Sequence, residues 1–189
     1  QFVNGVMSTT KSKQYVLQPL AFGQIEIDGA SIELKGVVYK TNTVVIDVKS
    51  DNGHILYETN IKEALDINAV RKKYGKEHLA YYKKNNIYLI GRLVAFQDPL
   101  YAKNYEESAV WDTRVSQPYK QGGQYFLDPS DEDARQYVLD IAVEACRLGF
   151  NEIQFDYIRY PDTNYRFMKF DLESTIENRI ETIQSFLLQ

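Results

Sequence analysis

One segment restricts the fold of this chain more than any other. It is GFNEIQFDYIRYP, residues 149–161, where a glycine closes a helical pattern and an apolar strand follows with one acid, Asp156, near its C-terminal end. Upstream, Val138, Ile141, Ala142, Ala145 and Leu148 recur at helical spacing, and Ser130 with Asp133 three residues later has the pattern of an N-cap. Helix, glycine and strand in immediate succession are a step of an α/β protein, and in α/β barrels the C-terminal ends of the strands carry the chemistry. Side chains alternate along a strand, which puts Gln154, Asp156 and Ile158 on one face and Ile153, Phe155 and Tyr157 on the other. A carboxylate buried unpaired costs several kcal/mol. Asp156 is therefore either satisfied by a basic partner, Arg159 or Arg92, or held ready for a substrate.

The rest of the chain also reads as strand followed by helix. Residues 2–8 are the expected first strand, Thr43–Lys49 (TVVIDVK) the second, residues 87–96 (IYLIGRLVAF) the third and the Asp156 segment the fourth. Asp51-Asn52-Gly53 and Asp98-Pro99 mark turns after the second and third strands. Residues 61–85 are mostly helical with an interruption at Gly75. Ser174 and Glu177 form a capping box before a last helix whose Ile176, Ile180, Ile183 and Leu187 share a face. Residues 32–40 read as the first crossover helix, because neighbouring parallel strands need one, although Asp28-Gly29 within residues 24–34 is also a hairpin signal. Residues 100–129 make a long aromatic loop containing Trp111, Tyr119, Tyr125 and Gly122-Gly123. A loop of that length in a compact domain suits a cover over a site.

Four βα units, with no fixed-period repeat linking them, make half of a TIM (β/α)8-type barrel, since the closed form typically takes about 250 residues. The expectation is an α/β half-barrel forming a single domain over residues 1–189. It is either a piece of a longer protein or a half that closes against a second copy as a homodimer.

Composition removes other classes. With 22 Lys plus Arg against 26 Asp plus Glu, the net charge of -4 gives no footing for nucleic acid as the main partner. No apolar run approaches the roughly 18 residues of a membrane span, and no signal segment opens the chain, although an export signal removed before Gln1 is compatible with it. The single cysteine, Cys146, sits in the apolar register of a helix and reads as a small core residue. Only His54 and His78 are present and glycine-rich phosphate loops are absent, so no zinc site, histidine triad, nucleotide or other cofactor is expected. Arg71-Lys72-Lys73 reads as a solvated helix face. Fifteen Tyr, nine Phe and one Trp permit a glycan site and equally suit core filling.

TVVIDVKSDNG, RLVAFQDP and LDPSDEDARQYVLDIAVEACRLGFNEIQFDYIRYP together resemble a glycosyl hydrolase domain family of bacterial proteins, long catalogued as a domain of unknown function and similar to the α-amylase and α-galactosidase barrels. The resemblance covers most of residues 43–161. It implies that Asp156, at the end of the fourth strand, is the nucleophile or stabiliser of a retaining glycosidase, and that Asp47, Lys49 and Arg92 line the same mouth and keep Asp156 ionised. With Asp98, Arg159 and Trp111 of the covering loop, these make the expected substrate-binding set for a carbohydrate. Export to the cell envelope or beyond follows only by analogy. The second carboxylate that such chemistry requires comes from a later strand in those relatives. The local candidates are Asp47, Asp51, Asp98, Asp128 and Asp162; turns or solvent explain the last four, and Asp47 interrupts an apolar strand, which a salt bridge to Arg92 would explain. Two readings stand: a glycoside hydrolase acting through Asp156, and a non-catalytic glycan-binding barrel or catalytically incomplete fragment.

Overall fold

In the computed structural model, residues 43–189 are described in full, and residues 2–3, 6–7, 31–34 and 37–40 by their strand pairing alone. The centre is a three-stranded parallel sheet of β1 (Thr43–Lys49), β2 (Tyr88–Val94) and β3 (Glu152–Asp156), with β2 in the middle. The register places Asp47 beside Arg92, Gln154 beside Arg92 and Asp156 beside Val94. Among the described residues there are five α-helices, in chain order α1 (Lys62–Asp66), α2 (Lys76–Lys84), α3 (Tyr101–Asn104), α4 (Glu132–Leu148) and α5 (Ile176–Leu187).

The two faces of the sheet differ. Val44, Ile46, Val48, Leu89, Leu93, Ile153 and Phe155 belong to the main core, together with Val138, Ile141 and Ala145 of α4. Gly91 makes this contact possible, because a Cβ there would lie 2.7 Å from Val48 Cγ2 and 3.0 Å from Phe150 Cδ1. Among the described residues nothing covers the opposite face, and Thr43, Val45, Tyr88, Glu152 and Gln154 on it are exposed. Toward the C-terminal ends of the strands this open face carries Asp47, Arg92 and Asp156.

The mixed α/β class is as expected, but the count of units is lower. Among the described residues there are three parallel strands and no closed barrel. The expected first strand is instead two antiparallel pairs, Phe2 with Met7 and Val3 with Val6, and Asn4-Gly5 between them is a strong hairpin dipeptide. Likewise, the expected crossover helix over residues 32–40 is an antiparallel hairpin of Ser31–Leu34 and Val37–Lys40, whose β-branched VVYK favours a strand.

Other corrections are local. Helix α4 is capped by Asp131, whose side chain accepts from Ala134 N, and not by Ser130. Thr175 caps α5 in place of Ser174, accepting from Asn178 N. The α5 face is rotated from the expected one: Thr182 and Phe186 are buried, while Ile176, Ile180 and Leu187 are exposed. The cause is Phe186, whose ring meets Phe96 and Phe155 edge-on at centroid distances of 5.1 and 5.4 Å and so fixes which side of the helix turns inward. Cys146 is exposed, one position past buried Ala145.

The long loop is organised. Trp111–Asp112 pairs with Gln117–Pro118 on one side and with Met168–Lys169 on the other, so the segments that follow β2 and β3 are joined in a small antiparallel sheet. Beneath it Val110, Tyr119, Phe126 and Met168 form a second small core.

Candidate functional site

Arg92 occupies the centre strand, and three carboxylates converge on its guanidinium. Nε and Nη2 donate to Asp156 Oδ2 at 2.9 and 2.7 Å, Nη1 donates to Asp47 Oδ1 at 3.2 Å, and Nη2 and Nη1 donate to Asp51 Oδ1 and Oδ2 at 3.0 and 3.4 Å. The register explains two of these partners: Asp47 is the direct neighbour of Arg92 on β1, and Asp156 is the next residue on the same face of β3. The planar fork of arginine carries five donors, enough to serve several carboxylates at once.

Asp156 ends its strand. Its Oδ1 accepts from Tyr157 N at 2.8 Å, and Tyr157 has φ 53°, a left-handed backbone that costs a bulky residue of order 1–3 kcal/mol and ends the alternation expected through Ile158. Backbone strain clusters at functional sites, which makes this strand end a candidate one.

Asp51 was assigned to a turn by the sequence, and the structure adds it to the cluster. It sits in a tight turn in which Gly53 N donates to Ser50 O and Ser50 N donates to His54 O, and Gln97 Nε2 braces it by donating to Asp51 O at 3.3 Å. The Arg92 hydrogen bond holds the Asp51 carboxyl below its ordinary pKa, and the surrounding acids raise that of Arg92. The signal available in the sequence was the position of Asp51 just past a strand end, where any acid can reach the centre of the sheet.

Lys49 and Asp98 do not join this cluster. A bulge between Asp47 and Lys49 shifts the register, turning Lys49 away from the face that carries Asp47. Lys49 Nζ instead donates to Val94 O and Ala95 O at 2.7 and 3.2 Å and pairs with Asp98 Oδ2 at 2.9 Å, both side chains being 0% exposed. Arg159 donates to Tyr160 O and lies over the Tyr157 ring at 5.7 Å; Arg92, not Arg159, is the partner of Asp156. Trp111 lines a separate cavity. Of the remaining acids, Asp162 is exposed, and Asp128 is buried and accepts from Ser130 and Asp171 N.

Chemically, the site is three acids around one base, so it is net negative. Asp47, Asp51 and Asp156 are 40%, 44% and 43% exposed, and a ligand can reach them from the open face. Such a site can accept hydrogen bonds from hydroxyl groups and stabilise positive charge developing at a bound atom. Among the described residues no group of three or more His, Cys, Asp or Glu side chains is placed to hold a metal ion.

Fold and site together define an α/β protein with an acidic cluster at the C-terminal ends of its parallel strands. The chain belongs to the "Putative glycosyl hydrolase domain" family, whose model matches residues 34–189. A second family model, the BatD DUF11 like domain, matches residues 1–48. Among solved structures the chain is similar to a hypothetical protein from Ruminiclostridium thermocellum ATCC 27405, with 36% identity, a TM-score of 0.72, and coverage of 79% of this chain and 77% of that one. It is more distantly similar to the glycoside hydrolase domain of PelA from Pseudomonas aeruginosa, at 15% identity and a TM-score of 0.46, spanning 77% of this chain and 53% of that domain. No curated protein matches the chain in sequence.

Proposed function

We propose that this chain carries a glycoside hydrolase site for a poly- or oligosaccharide, with Asp156 as the nucleophile or oxocarbenium stabiliser. The observation that supports this most is the single guanidinium of Arg92 holding Asp156, Asp51 and Asp47 together at the strand ends of an open sheet face. Arg92 keeps Asp156 in one orientation, while Asp47 and Asp51 accept hydrogen bonds from sugar hydroxyls. Membership of a family named for glycosyl hydrolases agrees with this reading.

One observation favours a second reading, glycan binding without turnover. Glycosidic cleavage needs a protonated carboxyl as general acid, and Asp51, which shares Arg92 Nη2 with Asp156, has its pKa lowered by the Arg92 hydrogen bond.

The test is to incubate the purified chain and its Asp156→Asn variant with a panel of soluble glycans, following reducing ends and calorimetric binding. Turnover lost in the variant with binding retained supports the hydrolase. Undiminished turnover in the variant removes Asp156 from its role, and binding without turnover in either protein selects the second reading.

A further inference from the structure

The long segment after β2 and the segment after β3 build a cavity of about 360 Å³, lined by Glu106, Glu107, Trp111, Asp128, Lys169 and Phe170 among others. Its size falls within the range of small-molecule sites, roughly 300–1,000 Å³. Trp111 stands half-buried in its wall. It is held there by the pairing of Trp111 with Lys169 across the antiparallel ribbon, which sets those two side chains side by side on one face. Phe170 is fixed from behind by ring contacts with Tyr160 and Tyr165, at centroid distances of 5.3 and 5.8 Å.

The polar groups around this aromatic wall divide in two. Asp128 is occupied, accepting from Ser130 N, Ser130 Oγ and Asp171 N, and serves to hold the loop. Glu106, Glu107 and Lys169 are exposed, and their side chains have no hydrogen-bond or ion-pair partner among the described residues. An amphipathic ring ringed by unused acceptors and one donor matches a ligand with an apolar face and a hydroxyl-bearing edge, which is the chemistry of a pyranose. The excess of carboxylates repels sugar acids and phosphates.

We infer that the Trp111 cavity is a second glycan subsite, distinct from the Arg92 cluster, that takes one ring of a neutral oligosaccharide. This rests on reading the protein as glycan-directed and extends it. The cavity is built from the two segments that leave the C-terminal ends of β2 and β3, the same end of the sheet that carries Asp156. A chain of sugars engaging both places would be an oligosaccharide, not a monosaccharide.

The sequence supplies the probe, because Trp111 is the only tryptophan in 189 residues. The experiment titrates the Asp156→Asn variant with malto-, cello-, xylo- and N-acetylchito-hexaose, reading tryptophan emission and calorimetric heat together. A saturable change in emission with one glycan, an affinity about tenfold weaker in Trp111→Ala, and recovery in Trp111→Phe support the subsite. The phenylalanine variant also separates a lost stacking surface from a lost fold. Calorimetric binding of a glycan to the variant, or its hydrolysis by the wild-type chain, with unchanged emission on titration overturns the subsite and leaves the Asp156 reading standing. No binding and no hydrolysis of any of the four glycans overturns both.

Discussion

Lys49 Nζ lies 2.9 Å from Asp98 Oδ2 with neither side chain exposed, so the β1 strand end is tied to the loop after β2 by a fully buried charge pair. The lysine protons are directed at the Val94 and Ala95 carbonyls, and the pair is held by charge more than by an aligned hydrogen bond. Asp98 Oδ1 accepts from Leu100 N and Tyr101 N, which fixes the start of α3. Replacing one partner strands the other charge in the core, at a cost of about 3–5 kcal/mol. Asp98→Asn and Lys49→Met should each lower urea-unfolding stability by that order, and the double variant should lose less than the sum of the two. Additive losses would mean that the pair is not coupled.

Gly53 links this pair to the acidic cluster. With φ +80° it adopts a backbone that disfavours a side chain, and a Cβ there would lie 2.1 Å from Asp98 Oδ1. Gly53→Ala should therefore destabilise the fold by roughly 1–3 kcal/mol and displace Asp51, two residues earlier. Chemical denaturation reads the first effect, and a shift of the Asp51 carboxyl resonance in NMR reads the second.

The Arg92 cluster gives a pH dependence whose sign is fixed. The folded pKa of Asp51 lies below its ordinary value of about 3.9. Its contribution is therefore present above that value and lost as the pH falls through the lower folded value. Since Asp51 is 44% exposed, screening limits the effect to about 1 kcal/mol or less. Arg92→Met should remove this acid-side loss and raise the Asp51 pKa, measurable by carboxyl NMR titration. An unchanged titration would show that the ion pair does not govern Asp51.

Phe186 is the wedge that seats α5. Its ring meets both Phe96 and Phe155, and Phe186→Ala opens a cavity between the last helix and the sheet. A loss of about 3–5 kcal/mol is expected in thermal or urea unfolding, while Ile180→Ala on the exposed side of the same helix should change stability by less than about 1 kcal/mol. Equal losses would reverse the assigned orientation of α5.

The sequence was informative where local chemistry and tertiary structure agree. The stripe of α4, the Gly149 cap at φ 111° and the strand that follows are as expected, because amphipathic period and cap act within one element. It misled at residues 32–40, where the demand for a crossover outweighed a β-branched hairpin pattern, and at α5, where the regular isoleucine spacing concealed that Phe186 sets the buried side. Within the site, alternation along one strand sets the face of Asp156 and leaves Arg92 and Arg159 as its basic partners, while the place of Asp47 and Arg92 at the same mouth is what the family resemblance implies. Lys49 faces the other way because one bulge reverses the facing of everything beyond it, and Asp51, a candidate carboxylate that also suits a turn, shows its long-range partner only in three dimensions.

The most direct measurement is the turnover of the glycan that the wild-type chain hydrolyses fastest, compared between wild type and Asp156→Asn at matched substrate saturation. A fall in kcat of about 10²-fold or more with glycan affinity little changed is the expected result, as when a group that stabilises the transition state is removed. A kcat within a few-fold of wild type would contradict it and move the reacting centre away from Arg92 and its three acids.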